Sequence, residues 1–280
     1  MKKVVSFSGG RTSAYLCKVM IDKFGRDNVD FIFMDTGAEH PKTYEFIRKV
    51  NKHFDLNLTC LRGDFKQPLG KGHSYKIVSI NDICADLKPY KNMVDKYGTP
   101  TVASGWCTSR MKEETHDKYC NDKYGKGNYQ TWIGIRADEP RRLGGIGKKE
   151  TLKYMAEITD AEKQDILNYW SKMPFDLGID EWLGNCVFCF KKSNLKLAAA
   201  QRDEPELYMQ WLDMVEAAPD RNKKDGRNSM HMYRKQKTLP ELIATFDGST
   251  GQEIKARIRG SKMIETNSCS ESCEVFNQQG

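Results

Sequence analysis

The sequence has no long apolar run. A membrane-spanning helix needs about 20 apolar residues, and the core of a signal peptide needs about 7–15. The N-terminal apolar run, which begins at Val4, is far shorter and ends before Gly9 and Gly10. No internal repeat is visible either. We therefore expect neither a transmembrane helix nor an export signal, and we expect the protein to lie in the cytoplasm.

If the protein carries no export signal, its nine cysteines stay in a reducing compartment. In a reducing compartment they are free thiols, metal ligands or catalytic groups more often than disulfides, and their odd number agrees with this. Cys186 and Cys189 are separated by two residues, so both sulfurs can reach one metal ion or cluster. A redox dithiol is the alternative. Cys269 and Cys273 lie in a polar tail, either as reactive thiols or as a chance pair.

The net charge of +7 is concentrated near the C-terminus. Residues 221–262 hold eleven Lys and Arg but only four Asp and Glu, a difference equal to the whole excess. Such a field favours anionic partners. The region either binds a phosphate-rich substrate or a nucleic-acid backbone, or it is a solvated basic face.

Strand and helix patterns alternate through the first part of the chain. Strands are predicted at 3–7, 29–34, 57–61 and 130–135, with helices after the first two. The stretch 63–105 shows no clear strand or helix pattern. This order indicates an α/β fold with a parallel sheet. From residue 159 the pattern is mainly helical. We expect a nucleotide-binding domain over 1–200, a basic helical region over 201–262 and a flexible tail over 263–280.

A phosphate-binding loop is predicted directly after the first strand. Two glycines allow a tight turn, so that backbone amides and the start of the next helix can face one anion. Hydroxyl groups and one arginine add donors. The candidate residues are Ser6, Ser8, Gly9, Gly10, Arg11, Thr12 and Ser13. In contrast, the glycine-rich stretch 144–149 lacks the spacing of a Walker loop.

Two further polar segments follow predicted strands, where open α/β sheets bind their ligands. The first is Asp35, Thr36 and Gly37, in which Asp35 contacts a ribose or a metal, or else caps the next helix. The second contains Gly134, Arg136, Arg141 and Arg142. Its arginines can make paired contacts with phosphate or sulfate oxygens, or they are ordinary surface charges.

These motifs, in this order, resemble the phosphoadenosine phosphosulfate reductases and their relatives, the N-type ATP pyrophosphatases. The loop at residues 8–13 is similar to their Ser-Gly-Gly-x-Asp-Ser element, although Thr12 replaces the aspartate of ATP-cleaving members. The segments at 35–44 and 134–142 are similar to two further elements. The resemblance implies an adenine nucleotide alpha-hydrolase-like, Rossmann-like sheet with helices on both faces. The stretch before Cys186 is similar to reductase-like proteins found beside DNA-modification genes or in phages. A phage origin would place the protein in host cytoplasm.

The resemblance also implies roles for cysteines and one lysine. The segment 106–112 is similar to the Cys-Cys-x-x-x-Lys element of adenylyl-sulfate reductases, so Lys112 would approach phosphate. Cys107, Cys186 and Cys189 would then hold a [4Fe–4S] cluster that lacks one matched ligand, with zinc or no metal as alternatives. Cys273, or Cys269, would be the nucleophile that family members carry on a C-terminal tail.

Three functions follow from the resemblance. The leading one is an enzyme that binds phosphoadenosine phosphosulfate or adenylyl sulfate and reduces or transfers sulfur, with a thioredoxin-like electron donor. The second is an ATP-dependent sulfurtransferase acting on DNA or RNA through residues 221–262, in which case Mg²⁺ would accompany ATP. The third is a nucleotide-binding module without catalysis.

Overall fold

A computed structural model describes residues 1–143, 150–221 and 226–260. Six strands of these residues form one sheet in the order β4-β3-β2-β1-β5-β6. The strands are β1 (Lys2–Ser6), β2 (Val29–Met34), β3 (Thr59–Asp64), β4 (Ser74–Val78), β5 (Tyr129–Ile133) and β6 (Leu152–Tyr154). Only the β3–β4 pair is antiparallel. The direction in which strands are added reverses between β1 and β5, which is where such sheets form a ligand crevice.

Ten α-helices connect or flank these strands in the described residues. They are α1 (Arg11–Phe24), α2 (Pro41–His53), α3 (Lys88–Tyr97), α4 (Glu114–Tyr124), α5 (Pro140–Leu143), α6 (Lys163–Ser171), α7 (Asn194–Asp203), α8 (Pro205–Glu216), α9 (Leu239–Ala244) and α10 (Gly251–Gly260). None of the helices in these ranges is long and apolar enough to cross a membrane.

Alternating side chains of the central strands cover both faces of the sheet. Val5 and Phe31 belong to the hydrophobic cluster that contains the buried side of α1 and α2. Val4 and Ile32, their neighbours in sequence, pack instead with Tyr119 of α4. This period of two is the expected consequence of the strand pleat. It confirms the predicted α/β class with helices on both faces.

A third hydrophobic cluster joins the C-terminal helices to the α/β part. It contains Met93 of α3, Cys186 and Cys189, and residues of α7 to α10 such as Trp211 and Ile258. Helix α7 crosses residue 200 and contacts α8, α9 and α10. Hydrophobic contacts therefore connect the predicted 1–200 and 201–262 regions.

The predicted strands differ from the observed ones at several points, and β6 was not predicted. Asn57 has a φ of 47°, a left-handed conformation, so β3 begins only at Thr59. Strand β5 ends at Ile133, before the predicted 135, because the N–H of Ile135 donates to the carbonyl of Ile133 in a turn. The sheet is not fully parallel, since the unassigned stretch 63–105 contains β4, which forms an antiparallel hairpin with β3.

Candidate active site

The loop between β1 and α1 depends on a glycine at position 9. Gly9 has a φ of 82°, and a Cβ added there would lie 2.9 Å from Thr43 Cγ2 and 3.0 Å from Ile47 Cδ1. Gly10 then precedes α1 in extended conformation and provides no side-chain cap. The first amides of this 14-residue helix are therefore oriented as a helix N-terminus that can receive an anion.

The serines of this loop have two different roles. Ser13 is 2% exposed, and its Oγ accepts from the Ser8 N–H at 3.2 Å and donates to the Gly10 carbonyl at 3.1 Å. The Oγ atoms of Ser8 and Ser13 lie 2.9 Å apart. Ser6 is buried as well. Ser13 thus shapes the turn, whereas Ser8 and Thr12 line an open cleft.

Arg11 is held by a carboxylate from the other half of the chain. Its Nε and Nη2 each donate to an oxygen of Asp176 at 2.7 Å, and Trp170 Nε1 donates to the Arg11 carbonyl at 3.0 Å. Burial favours a higher pKa for Asp176, but the hydrogen bonds from Arg11 hold this pKa below its ordinary value. Arg11 lines the cleft in a fixed orientation.

The cleft has a volume of about 430 Å³ and lies between the first loop, the end of β5 and the region before α7. Gly134 allows β5 to approach α1, because a Cβ at this position would lie 3.2 Å from the Ser13 Cα. Six cationic side chains and four carboxylates line the cleft. The cations are Arg11, Arg136, Arg142, Lys163, Lys192 and Lys196, and the carboxylates are Glu39, Glu139, Asp180 and Glu181. This excess of positive charge favours an anionic ligand.

Glu139 orients two of the predicted arginines. Its Oε2 accepts from the Arg136 backbone N–H at 2.9 Å, and its Oε1 accepts from Arg142 Nη1 at 3.1 Å. Arg136 Nε also donates to Asp138 at 2.7 Å. These contacts place Arg136 and Arg142 in the cleft wall. The side chain of Arg141 lies outside the described part of the chain.

Three lysines of the cleft were missed in the sequence. Lys192 is 2% exposed, and its Nζ donates to the carbonyls of Trp182 and Val187 at 2.6 and 3.0 Å. Lys196 pairs with Glu181 at 3.0 Å, and Lys163 lies 3.7 Å from the same carboxylate. The residues that flank the Cys-x-x-Cys segment, Gly184 and Asn185 before it and Lys192 and Lys196 after it, line the same cleft.

Asp35, a predicted nucleotide contact, is not among the residues that line the cleft. It accepts hydrogen bonds from the Gly37 N–H at 2.9 Å, the Tyr44 hydroxyl at 3.2 Å and Arg62 Nε at 2.7 Å. Burial raises the pKa of Asp35, and the Arg62 charge opposes this rise. Thr36 is also buried. This turn therefore supports the cleft wall, to which Glu39 contributes.

The three predicted metal ligands lie in one apolar region. Cys107, Cys186 and Cys189 are buried in the same hydrophobic cluster as Tyr90. The pKa of Tyr90 is raised by burial and further by these three thiols. However, no group of three His, Cys, Asp or Glu side chains among the described residues is arranged to hold a metal ion. The described residues therefore give no support for a cluster or zinc site, and we assign no chemical step to one.

Lys112, the predicted catalytic residue that the structure describes, does not line the cleft. Lys112 is buried in a π-helical turn, Ser109–Glu113, immediately before α4. Cys269 and Cys273 lie outside the residues that the structure describes. Several cations of the basic region instead contact the protein itself: Arg234 donates to the Lys191 carbonyl at 2.8 Å, and Lys255 pairs with Asp203 at 2.5 Å.

The sheet and its charged cleft define an α/β protein with a predominantly cationic cleft at its first β–α turn. The family model for the phosphoadenosine phosphosulfate reductase domain matches residues 2–146, which is more than half of the chain. The protein therefore belongs to the phosphoadenosine phosphosulfate reductase domain family, whose members bind adenine nucleotides.

Three curated proteins are similar to this chain over most of its length. The nin region protein ORF290 of Escherichia phage lambda is 44% identical over 284 residues, covering all of this chain and 97% of the phage protein. Two Methanocaldococcus jannaschii proteins, MJ0973 and MJ0066, are 25% and 23% identical over 75% and 82% of this chain. The chain spans only 46% and 45% of their lengths. None of these names assigns an activity.

Proposed function

We propose that the chain is an enzyme that binds a sulfated adenine nucleotide in the cleft beside α1 and reduces or transfers its sulfur. The observation that carries this proposal is the convergence of a helix N-terminus and six cations on one cleft of about 430 Å³. The α1 amides, Ser8 and Thr12 would bind one phosphate. Arg136, Arg142, Lys192 and Lys196 would neutralise the remaining phosphate and sulfate oxygens.

The sulfur step of this proposal requires a nucleophile and a reductant. A thiolate of Cys273, or Cys269, would attack the sulfate sulfur, forming a bond between the two sulfur atoms while the bond from sulfur to the phosphate oxygen breaks. The nucleotide would leave with the electron pair of that bond, and the cleft cations would stabilise its charge. A thioredoxin-like dithiol would then release sulfite by reducing the cysteine–sulfonate, itself becoming a disulfide.

ATP-dependent sulfur transfer to nucleic acid is the second candidate. It is favoured by the excess of cations over carboxylates outside this cleft, in residues 221–262 and along the β3–β4 hairpin. Thr12, at the position of the aspartate in ATP-cleaving relatives, argues for the first candidate. The two therefore differ in the nucleotide that the cleft prefers.

Calorimetric titration with phosphoadenosine phosphosulfate, adenylyl sulfate, ATP and AMP tests both candidates. We expect a sulfated nucleotide to bind most tightly, and Lys196→Ala to weaken it by about tenfold through loss of a charge-assisted contact. Lys52→Ala, an exposed change outside the cleft, is the control. Preference for ATP would favour the second candidate, binding without turnover would favour a non-catalytic module, and binding of no nucleotide would contradict the proposal.

A further inference from the structure

A second cleft lies on the β3–β4 side of the molecule. It has a volume of about 580 Å³ and is lined by parts of β3, β4, the chain between them, α3 and Arg221. A neighbouring hollow of about 390 Å³ shares Leu69 and Arg221 with it. No residue that lines these two hollows lines the first cleft. We call the two hollows together the second cleft.

The second cleft is strongly basic. Six cationic side chains but only two carboxylates line its larger part. The cations are Arg62, Lys66, Lys76, Lys88, Lys96 and Arg221. Both carboxylates already pair with lysines, Asp64 with Lys76 at 3.3 Å and Asp95 with Lys91 at 2.7 Å. Arg62 and Lys88 pair with carboxylates outside the lining, Asp35 at 2.7 Å and Asp86 at 3.1 Å. Cations remain in excess when these two carboxylates are counted, so the cleft keeps a net positive charge, which attracts anions.

Several positively charged side chains lie close together at one wall of this cleft. Burial, and then the neighbouring Lys118 and Arg110, lower the pKa of Lys96. The Nζ of Lys96 donates to the Gly72 carbonyl, and the Nζ of Lys118 donates to the carbonyl of His73. Backbone carbonyls thus position these lysines close to one another. A bound polyanion would relieve their mutual repulsion.

Aromatic rings lie next to the cationic part of the second cleft. Tyr97 and Trp106 line the smaller hollow with Arg110. Both rings are half-buried, and their centroids lie 5.7 Å apart in an edge-to-face arrangement. The Arg110 guanidinium lies 5.3 Å from the Tyr97 centroid. Cations along a groove that ends at partly exposed aromatic rings are typical of proteins that bind single-stranded nucleic acid, whose unstacked bases can contact such rings.

We propose that the second cleft binds a single strand of nucleic acid, with lysines of the β3–β4 hairpin and α3 contacting phosphates and with Tyr97 and Trp106 contacting bases. A duplex offers no unstacked base to these rings. A phosphopeptide would need one focused site, whereas these cations extend along two connected hollows. The proposal does not depend on which nucleotide the first cleft binds.

Fluorescence anisotropy with a labelled oligothymidylate of about 12 nucleotides tests the proposal, since this length matches the site size of many single-strand binders. The test variant is Lys66→Glu with Lys88→Glu, two exposed lining residues. The matched control is Lys49→Glu with Lys52→Glu on α2, exposed residues outside both clefts that change the net charge equally.

We expect the Lys66 and Lys88 variant to bind at least about tenfold more weakly in about 50 mM salt. The slope of log affinity against log salt should fall by about 1.4, because each phosphate contact of a single strand contributes about 0.7. The control should stay within about twofold of wild type, and both variants should bind the first cleft's nucleotide unchanged.

Three results would overturn the proposal. The first is failure of wild type to bind the oligothymidylate at low salt. The second is an equal loss of affinity in the Lys49 and Lys52 control, which would indicate a general charge effect. The third is tighter binding of a duplex of equal length, or of a phosphoserine peptide, than of the single strand.

Discussion

The two clefts of this protein differ in how their cations are held. In the first cleft, side-chain carboxylates fix the arginines: Asp176 binds Arg11 through two hydrogen bonds, and Glu139 binds Arg142. In the second cleft, carboxylates pair with Arg62, Lys76 and Lys88, but each lysine pair is a single contact, and other lysines such as Lys66 are exposed. Fixed cations suit one small anion in a defined position, whereas exposed cations suit a polyanion that many weak contacts hold. Carboxylates that fix the cations thus distinguish a site for one small anion from a surface that attracts polyanions in general.

The largest effect should come from the first cleft's glycine. Gly9→Ala introduces a Cβ 2.9 Å from Thr43 Cγ2 at a φ of 82°. We expect nucleotide affinity to fall about 100-fold or more, since the strained backbone costs roughly 1–2 kcal/mol before the clash displaces the amides. Calorimetry measures the affinity, and thermal unfolding reports the folded fraction.

Gly127→Ala is the control for Gly9→Ala. Gly127 has a similar φ of 79°, but nothing lies within 4 Å of an added Cβ. We expect this variant to lose some stability and to keep its nucleotide affinity. Equal losses of affinity in the two variants would show that the shape of the first loop does not determine binding.

A smaller effect should follow removal of one arginine from the first cleft. Arg142→Ala deletes the donor to Glu139, and we expect nucleotide affinity to fall about tenfold, as for one charged hydrogen bond. Lys66→Ala in the second cleft should weaken oligothymidylate binding only about twofold to threefold, because many other contacts contribute to the affinity. Equal sensitivity of the two clefts to single substitutions would contradict their contrast.

The last prediction concerns the pH dependence of stability beside the second cleft. Burial, with Lys118, Arg110 and Lys96, lowers the pKa of His73 to about 4, although Glu114 lies 3.5 Å from its Nδ1. The unfolded chain binds this proton near pH 6.5, so stability should fall as pH drops from about 6.5 to 4. His73→Gln should reduce that loss by on the order of 1–2 kcal/mol.

Denaturant unfolding at pH 7 and pH 5 measures this difference, and His53→Gln, an exposed change on α2, is the control. A His73→Gln variant with the same pH dependence as wild type would show that the cations around His73 do not perturb its titration.

The sequence predicts the first cleft better than the second for a physical reason. Short apolar runs in the sequence identify the strands that precede Gly9, Gly10 and Gly134. Because the parallel strands of an α/β sheet end at the same edge, the fold class alone predicts that these glycines lie close together. Lys192 and Lys196 reach this edge only through the packing of α7, and no local pattern indicates that. The second cleft depends on the antiparallel β3–β4 hairpin, whose β4 is mostly exposed and lacks a strong apolar alternation.

The cysteine predictions show a similar limit. The resemblance groups Cys107 with Cys186 and Cys189, and the structure places all three in one hydrophobic cluster. Ligand geometry is a property of side-chain orientation, which spacing does not encode, and the described side chains are not arranged as a metal site.

A crystal structure of the protein soaked with phosphoadenosine phosphosulfate tests the central claim most directly. The account predicts a phosphate of the nucleotide on the amides that follow Gly9, beside Ser8 and Thr12, with Arg136 and Arg142 contacting its other anionic groups. A nucleotide bound elsewhere, or a first cleft that stays closed to it at saturating concentration, would contradict the account.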